Sequence, residues 1–248
     1  MATVIALASS KGGTGKSTLA YHLGAYWAHR GRDVLLVDLD PQGNASLAMG
    51  PIGAWPDVAH SRLLFARRTP EPVAVSEGLR LLWADTRLTV GEAKQPQDIR
   101  RAAGRIRELT TDLAVLDAPS GLHPLTRLAL VAAQHVVCPV DPSPFAVQGT
   151  LQLADGLADL RHRHGKAAQL AGVVLNMAEP RTRLHQRIED TIREIFGRER
   201  YLGSLRRSVR VRESVVDRTP LHLRPGCADL ASELKAVANR ILRRVEST

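Results

Sequence analysis

Apolar positions along the chain follow two rhythms. Short, nearly continuous apolar runs at residues 3–8, 33–38, 79–83, 113–117, 135–140 and 170–175 read as strands buried on both faces. Between them, apolar residues recur at three- and four-residue spacing from Leu19 onward and over 98–109, 145–164, 183–196 and 229–245, which predicts helices. Strand and helix alternate nearly throughout. That order predicts an α/β fold, a doubly wound, mainly parallel sheet flanked by helices. Residues 51–77, rich in Pro, Ala and Arg, carry little periodicity and are expected to be variable or disordered. No repeat or linker interrupts the pattern, so residues 1–248 are expected to form a single domain.

The chemistry begins where the first strand ends. Residues 9–18 read Ser-Ser-Lys-Gly-Gly-Thr-Gly-Lys-Ser-Thr, a glycine loop between a strand and a helix. Gly12, Gly13 and Gly15 let the backbone turn so that successive N–H groups, those of Thr14 and Thr18 among them, converge on phosphate oxygens at a helix start. Lys16 supplies a mobile cation for the terminal phosphates, and Ser17 a hydroxyl for Mg²⁺. Two later strands close on acids: 33–38 ends in Asp38 and runs on to Asp40, and 113–117 ends in Asp117. Carboxylates so placed can hold Mg²⁺ or orient an attacking water, though an aspartate there also serves as a turn or helix cap. Asp117 is the natural metal-side acid of a nucleotide-hydrolysing loop.

Ser10 stands where an ordinary phosphate loop has its first glycine, and Lys11 adds a second lysine. This Lys-Gly-Gly-x-Gly-Lys-Ser form, followed by Val-Asp-Leu-Asp-Pro-Gln-Gly-Asn at 37–44, resembles the ParA/MinD superfamily of deviant Walker ATPases, closest to small ParA-type partition ATPases. The resemblance implies a P-loop NTPase that binds ATP with Mg²⁺. It places Asp40 at the water-activating position and Asp38 in the Mg²⁺ shell. It also implies that Lys11 reaches the ATP of a partner subunit, so that nucleotide becomes part of a homodimer interface. A second buried cation with no phosphate of its own would be costly, which agrees with that role. Asn176, after the strand at 170–175, is expected beside the adenine, with a turn or capping role as the alternative. The chain departs from the family at Ala118-Pro119-Ser120-Gly121, where a second proline is usual, so Ser120 and Gly121 are given no role.

Formal net charge is +9, which favours polyanionic partners. Arginine far outnumbers lysine, so distribution matters more than the total. Arg206, Arg207, Arg210 and Arg212 fall within seven residues that hold no acid. With the resemblance, this segment is the expected contact to nonspecific DNA, bound by the ATP dimer; a solvated basic edge is the alternative. The chain starts at its first strand, so no N-terminal helix-turn-helix and no operator binding are expected. No run of eighteen apolar residues and no signal-type N-terminus occurs, which predicts a cytoplasmic protein, nucleoid-associated with ATP, without stable membrane association. The expected function is slow ATP hydrolysis stimulated by a ParB-type or cargo-borne partner, moving a plasmid, a chromosome or another cargo. A MinD-like membrane ATPase would use the stripe Leu230, Leu234, Val237, Ile241, Leu242 and Val245 as an anchor. A biosynthetic ATP-dependent enzyme is a further alternative, and a cluster-bridging iron protein is disfavoured by the positions of Cys138 and Cys227.

Overall fold

The computed structural model describes residues 2–51, 53–89, 95–165 and 167–247. Eight strands form one sheet: β1 (Thr3–Leu7), β2 (Val34–Asp38), β3 (Val73–Ser76), β4 (Leu79–Leu82), β5 (Leu113–Asp117), β6 (His135–Val140), β7 (Gln169–Ala178) and β8 (Tyr201–Arg206). Their order is β3-β4-β2-β5-β1-β6-β7-β8, and every neighbouring pair is parallel except β3 with β4. The chain fills one side of β1 as far as β5 and the other side from β6, so the loop after β1 lies at the topological switch point.

Alternation along the strands divides the core. Val4 and Ala6 of β1 face one apolar layer, while Ile5 and Leu7 face the other. The first layer is covered by α3 (Pro96–Leu109), α4 (Pro124–Ala132), α5 (Ala146–His164) and α6 (Arg183–Phe196). The second is covered by α1 (Lys16–His29), α2 (Asn44–Met49) and α8 (Ala228–Glu246), with α7 (Val209–Val216) at its edge. Covering both faces is what makes the strands read as unbroken apolar runs.

Two differences from the sequence reading have physical causes. Residues 51–77, of which Ile52 lies outside the described residues, are ordered where they are described. The segment forms two 3-10 turns, Asp57–Ala59 and Ser61–Leu64, before β3. Its order comes from distant partners. The Arg105 guanidinium donates to the carbonyls of Leu63, Leu64 and Ala66, and the buried His60 ring bonds Asp85 at 3.0 Å. The helices α2, α4 and α7 and the strand β8 were not anticipated, and β8 lies inside the arginine-rich stretch. The stripe on α8 packs into the core: Leu234 and Ile241 are 0% exposed and Val237 1%. Turning such side chains outwards costs roughly 1.5–3 kcal/mol each, so this face is not spare for a membrane. No helix among the described residues is long and apolar enough to cross one.

Candidate nucleotide-binding site

The parallel register brings the chemistry to one edge. Leu7 at the end of β1 pairs with Asp117 at the end of β5, and Asp117 pairs with Asp38 at the end of β2. The glycine loop leaves β1 and enters α1 through Gly15, the N-cap residue, whose φ of 81° is in the left-handed region. Gly13 turns the same way with φ 76°. A Cβ on Gly15 would also collide with the Asn176 amide, so glycine is required twice over. Inside the loop the Ser9 hydroxyl donates to the Lys11 carbonyl at 2.9 Å and accepts from Thr14 Oγ1 at 2.9 Å.

The two lysines of the loop have different surroundings. Lys16 is 6% exposed, and its ammonium donates to Ser120 Oγ at 2.8 Å and more distantly to Ser9 Oγ at 3.5 Å. Burial lowers its pKa, while the charges of Asp117 and Asp40 oppose that fall. Lys11 turns outwards with its side chain 52% exposed and pairs with Asp141 at 2.7 Å, a residue in the loop after β6. The sequence analysis gave that carboxylate no part. Its signal was the acid directly after a strand end, the same signature that marked Asp38 and Asp117.

The three acids have different surroundings. Asp117 is fully buried, and neither carboxylate oxygen has a hydrogen-bond partner among the described residues. Burial raises its pKa well above the carboxylate range and the charge of Asp38 adds to the rise, against the nearby Ser17 hydroxyl and Lys16. Orphaned buried oxygens beside a hydroxyl fit a hard divalent cation, which would compensate the charge. Asp38 is also fully buried, but its oxygens accept from Asp40 N (3.0 Å), Ser46 N (2.9 Å) and Ser46 Oγ (2.7 Å). Burial pushes its pKa up to about 7 despite those bonds. Asp38 thus pins the turn between β2 and α2. That turn presents Asp40, whose carboxylate is held by the Gln42 amide at 2.9 Å.

The segment after β5 is tied to the loop directly. Gly121 donates its N–H to the Ser9 carbonyl at 3.1 Å, and Ser120 holds Lys16, so the departure from the family falls on a working contact. Asn176 lies within β7, which runs on to Ala178. Its amide donates to the Thr14 carbonyl at 2.8 Å, and the next residue, Met177, has a φ of 52°. Asn176 therefore braces the glycine loop from the side.

These groups line a pocket of about 740 Å³ containing Gly13, Lys16, Ser17, Thr18, Asp40 and Asn176. Arg206, Arg207 and Arg212 stand in its wall, which places three of the four expected DNA contacts beside the nucleotide site. Arg206 is bound by Glu233 at 2.5 Å and approaches Asp229 at 3.9 Å, and Arg207 approaches Glu179 at 3.5 Å. Arg210 donates to the Gly226 carbonyl. The acid-free stretch in sequence is thus partly neutralised in space by acids from α8 and the end of β7.

A family model described as the CobQ/CobB/MinD/ParA nucleotide binding domain matches residues 5–221. The chain is 40% identical over 213 residues to a chromosome-partitioning ATPase Soj of Thermus thermophilus, covering 85% of this chain and 83% of the relative. It is 32% identical over 222 residues to a chromosome partitioning protein ParA of Caulobacter vibrioides, covering 85% and 83%. Among solved structures, a Cyanothece McdA(D38A)–ATP complex superposes with a TM-score of 0.84 at 18% identity, over 97% of this chain and 96% of that one. The last likeness is one of fold.

Proposed function

Because the chain belongs to the CobQ/CobB/MinD/ParA nucleotide-binding family, we propose that it is a ParA-type ATPase whose ATP-bound homodimer holds nonspecific DNA and positions a cargo. Members of the ParA/MinD branch hydrolyse ATP at the phosphate loop. In this reading residues 1–248 act as one ATPase unit. The loop amides from Gly12 to Thr18 and Lys16 hold the phosphates, and Ser17 and Asp117 hold Mg²⁺. The metal supplies charge compensation on the transferring phosphoryl group. Asp38 fixes the turn that aims Asp40 at the attacking water, and Asn176 keeps the loop in shape beside the base. Hydrolysis is slow until a ParB-type or cargo-borne partner stimulates it, and the protein works in the cytoplasm on the nucleoid. Two partitioning proteins among its relatives favour a chromosome or plasmid as cargo.

The observation that carries this reading is the pair of lysines in one loop, one buried and one half exposed with different partners. Lys16 is buried in the chain's own pocket, whereas Lys11 is half exposed and pairs with Asp141 outside the pocket's lining. A cation held outwards can compensate charge on another subunit's nucleotide, as an arginine finger does. The test compares wild type with Lys11→Ala by light scattering and by retention on random-sequence duplex DNA, with ADP and with a nonhydrolysable ATP analogue. Dimerisation and DNA retention that require the analogue, and that disappear in Lys11→Ala while nucleotide still binds, would support the reading. A dimer of normal affinity in the variant would remove it.

A further inference from the structure

A second group of arginines, unrelated to the stretch at 206–212, lines a pocket of about 420 Å³. Arg193 comes from α6, Arg198 from the 3-10 turn Arg198–Arg200, and Arg240, Arg243 and Arg244 from the last turns of α8. The floor is Tyr201 and Leu202, where β8 begins. Because the sheet is parallel here, this pocket opens at the edge opposite the phosphate loop.

The charge balance is lopsided. Glu199 is the only acidic side chain in the lining among the described residues, against five guanidinium groups. Arg198, Arg240 and Arg243 are exposed, and none of the three makes an ion pair among the described residues. Arg193 is preset: Glu189 holds it at 2.6 Å, and it lies over the Tyr201 ring at 4.2 Å. On α8 the spacing 240, 243, 244 puts three cations on one face, an arrangement that repels itself. Arg243 and Arg244 also complement the helix C-terminus, but that accounts for neither Arg193 nor Arg198, which arrive on other elements. The cations continue past the pocket: Arg244 is shared with a neighbouring depression that adds Arg161 and Arg200. Concave, open and extended, this surface suits a chain of phosphates better than a single small anion.

We propose that this arginine pocket is a docking surface for the phosphate backbone of duplex DNA, gripping it without reading bases. The proposal rests on the DNA-binding reading above and locates a contact outside the nucleotide mouth. Five planar guanidinium groups from three elements can bond successive phosphates, and each phosphate neutralised steepens the salt dependence of binding.

The experiment uses the full chain with a nonhydrolysable ATP analogue on random-sequence duplex DNA over a salt series. It compares wild type, Arg240→Ala/Arg243→Ala, the rescue pair Arg240→Lys/Arg243→Lys, and Arg207→Ala/Arg210→Ala. The first pair should weaken retention at least tenfold, lower the log–log salt slope by about 2 and leave ATP binding and dimerisation unchanged, with lysine restoring most of the slope. Unchanged retention and slope in that pair overturns the proposal and leaves the DNA reading standing. Wild type that retains no DNA with any nucleotide overturns both. Inorganic phosphate or polyphosphate that binds wild type but not the pocket variants, with DNA retention equal in all, makes the pocket a small-anion site and also overturns the proposal.

Discussion

At the scale of single residues, the site is arranged around charges waiting for compensation. Lys16 has exchanged water for one strong partner, the Ser120 hydroxyl at 2.8 Å, and the Asp117 carboxylate oxygens accept no hydrogen bond of normal geometry among the described residues. In the proposed nucleotide complex Lys16 would leave Ser120 for a phosphate, so that bond would stabilise only the nucleotide-free protein. A hydrogen bond to a charged group contributes about 1.5–3 kcal/mol when buried, and the open pocket puts this one at the lower end. Ser120→Ala should therefore lower the Tm of the free protein by about 3–5 °C for a chain of this size. With Mg–ATP analogue bound, the same variant should match wild type. Calorimetry with and without nucleotide checks this; an equal loss in both states would mean that Ser120 acts as an ordinary packing residue. Asp117→Asn should behave in the opposite sense. It replaces an acid whose ionised form burial and Asp38 disfavour, so it should not destabilise the free protein, while Mg²⁺ no longer adds to the stabilisation by ADP.

At the scale of elements, the phosphate-loop helix is fastened to α7 by one buried ring. His22 of α1 accepts at Nδ1 from the Leu221 amide at 3.4 Å, which places its proton on Nε2, facing Ser214 Oγ of α7 at 3.2 Å. The Ser214 hydroxyl donates its own hydrogen bond to the Val211 carbonyl at 2.7 Å. Burial, helped by His222, pushes the His22 pKa down to about 3, so the folded ring stays neutral. In the unfolded chain it takes a proton below its ordinary value of about 6.5. The unfolded state then binds the extra proton, and stability falls as pH drops from about 6.5 towards 3, by roughly 2 kcal/mol at pH 5. His22→Asn keeps a donor and an acceptor without titrating. Urea unfolding at pH 7 and pH 5 should show a pH-dependent loss smaller by about that amount in the variant; His222, pushed down to about 4 mainly by burial, accounts for part of what remains. An unchanged difference between the two pH values would detach His22 from the acid response.

The elements also show what the sequence could and could not reveal. Asp38 and Asp117 were legible because a strand ending in an acid is a local pattern, and the glycine loop because its chemistry occupies ten consecutive residues. Residues 51–77 were not, because their order depends on carbonyls meeting Arg105 some forty residues away. β8 was hidden because its short Tyr201–Arg206 run sits among arginines and breaks its alternation at Gly203, which packs near Arg240. The arginine pocket was invisible for the same reason. Its members lie at 193, 198 and 240–244, and only the fold brings them together.

At the scale of the whole molecule, the question is what the free subunit does with the lysine it would lend to a partner. Lys11 is parked on Asp141 of its own chain, with side chains 52% and 22% exposed. A pair this accessible to water contributes at most about 1 kcal/mol, far too little to hold Lys11 against a triphosphate. It is still a competing state, and in the proposed dimer ATP-driven assembly would break one such pair in each subunit. Asp141→Asn removes that competition without touching the phosphate loop. Breaking two pairs of at most about 1 kcal/mol each bounds the gain in dimer affinity at roughly thirtyfold, and screening by neighbouring water makes a gain of a fewfold the expected result. The gain should shrink at high salt, where the parked pair is already weak. Sedimentation equilibrium with a nonhydrolysable ATP analogue at low and high salt measures both. In Lys11→Ala the Asp141 substitution should change nothing, since the group it restrains is gone. A weaker dimer for Asp141→Asn alone would instead make Asp141 a contact across the interface, and equal dimers at every salt concentration would mean that the parked lysine plays no part in assembly.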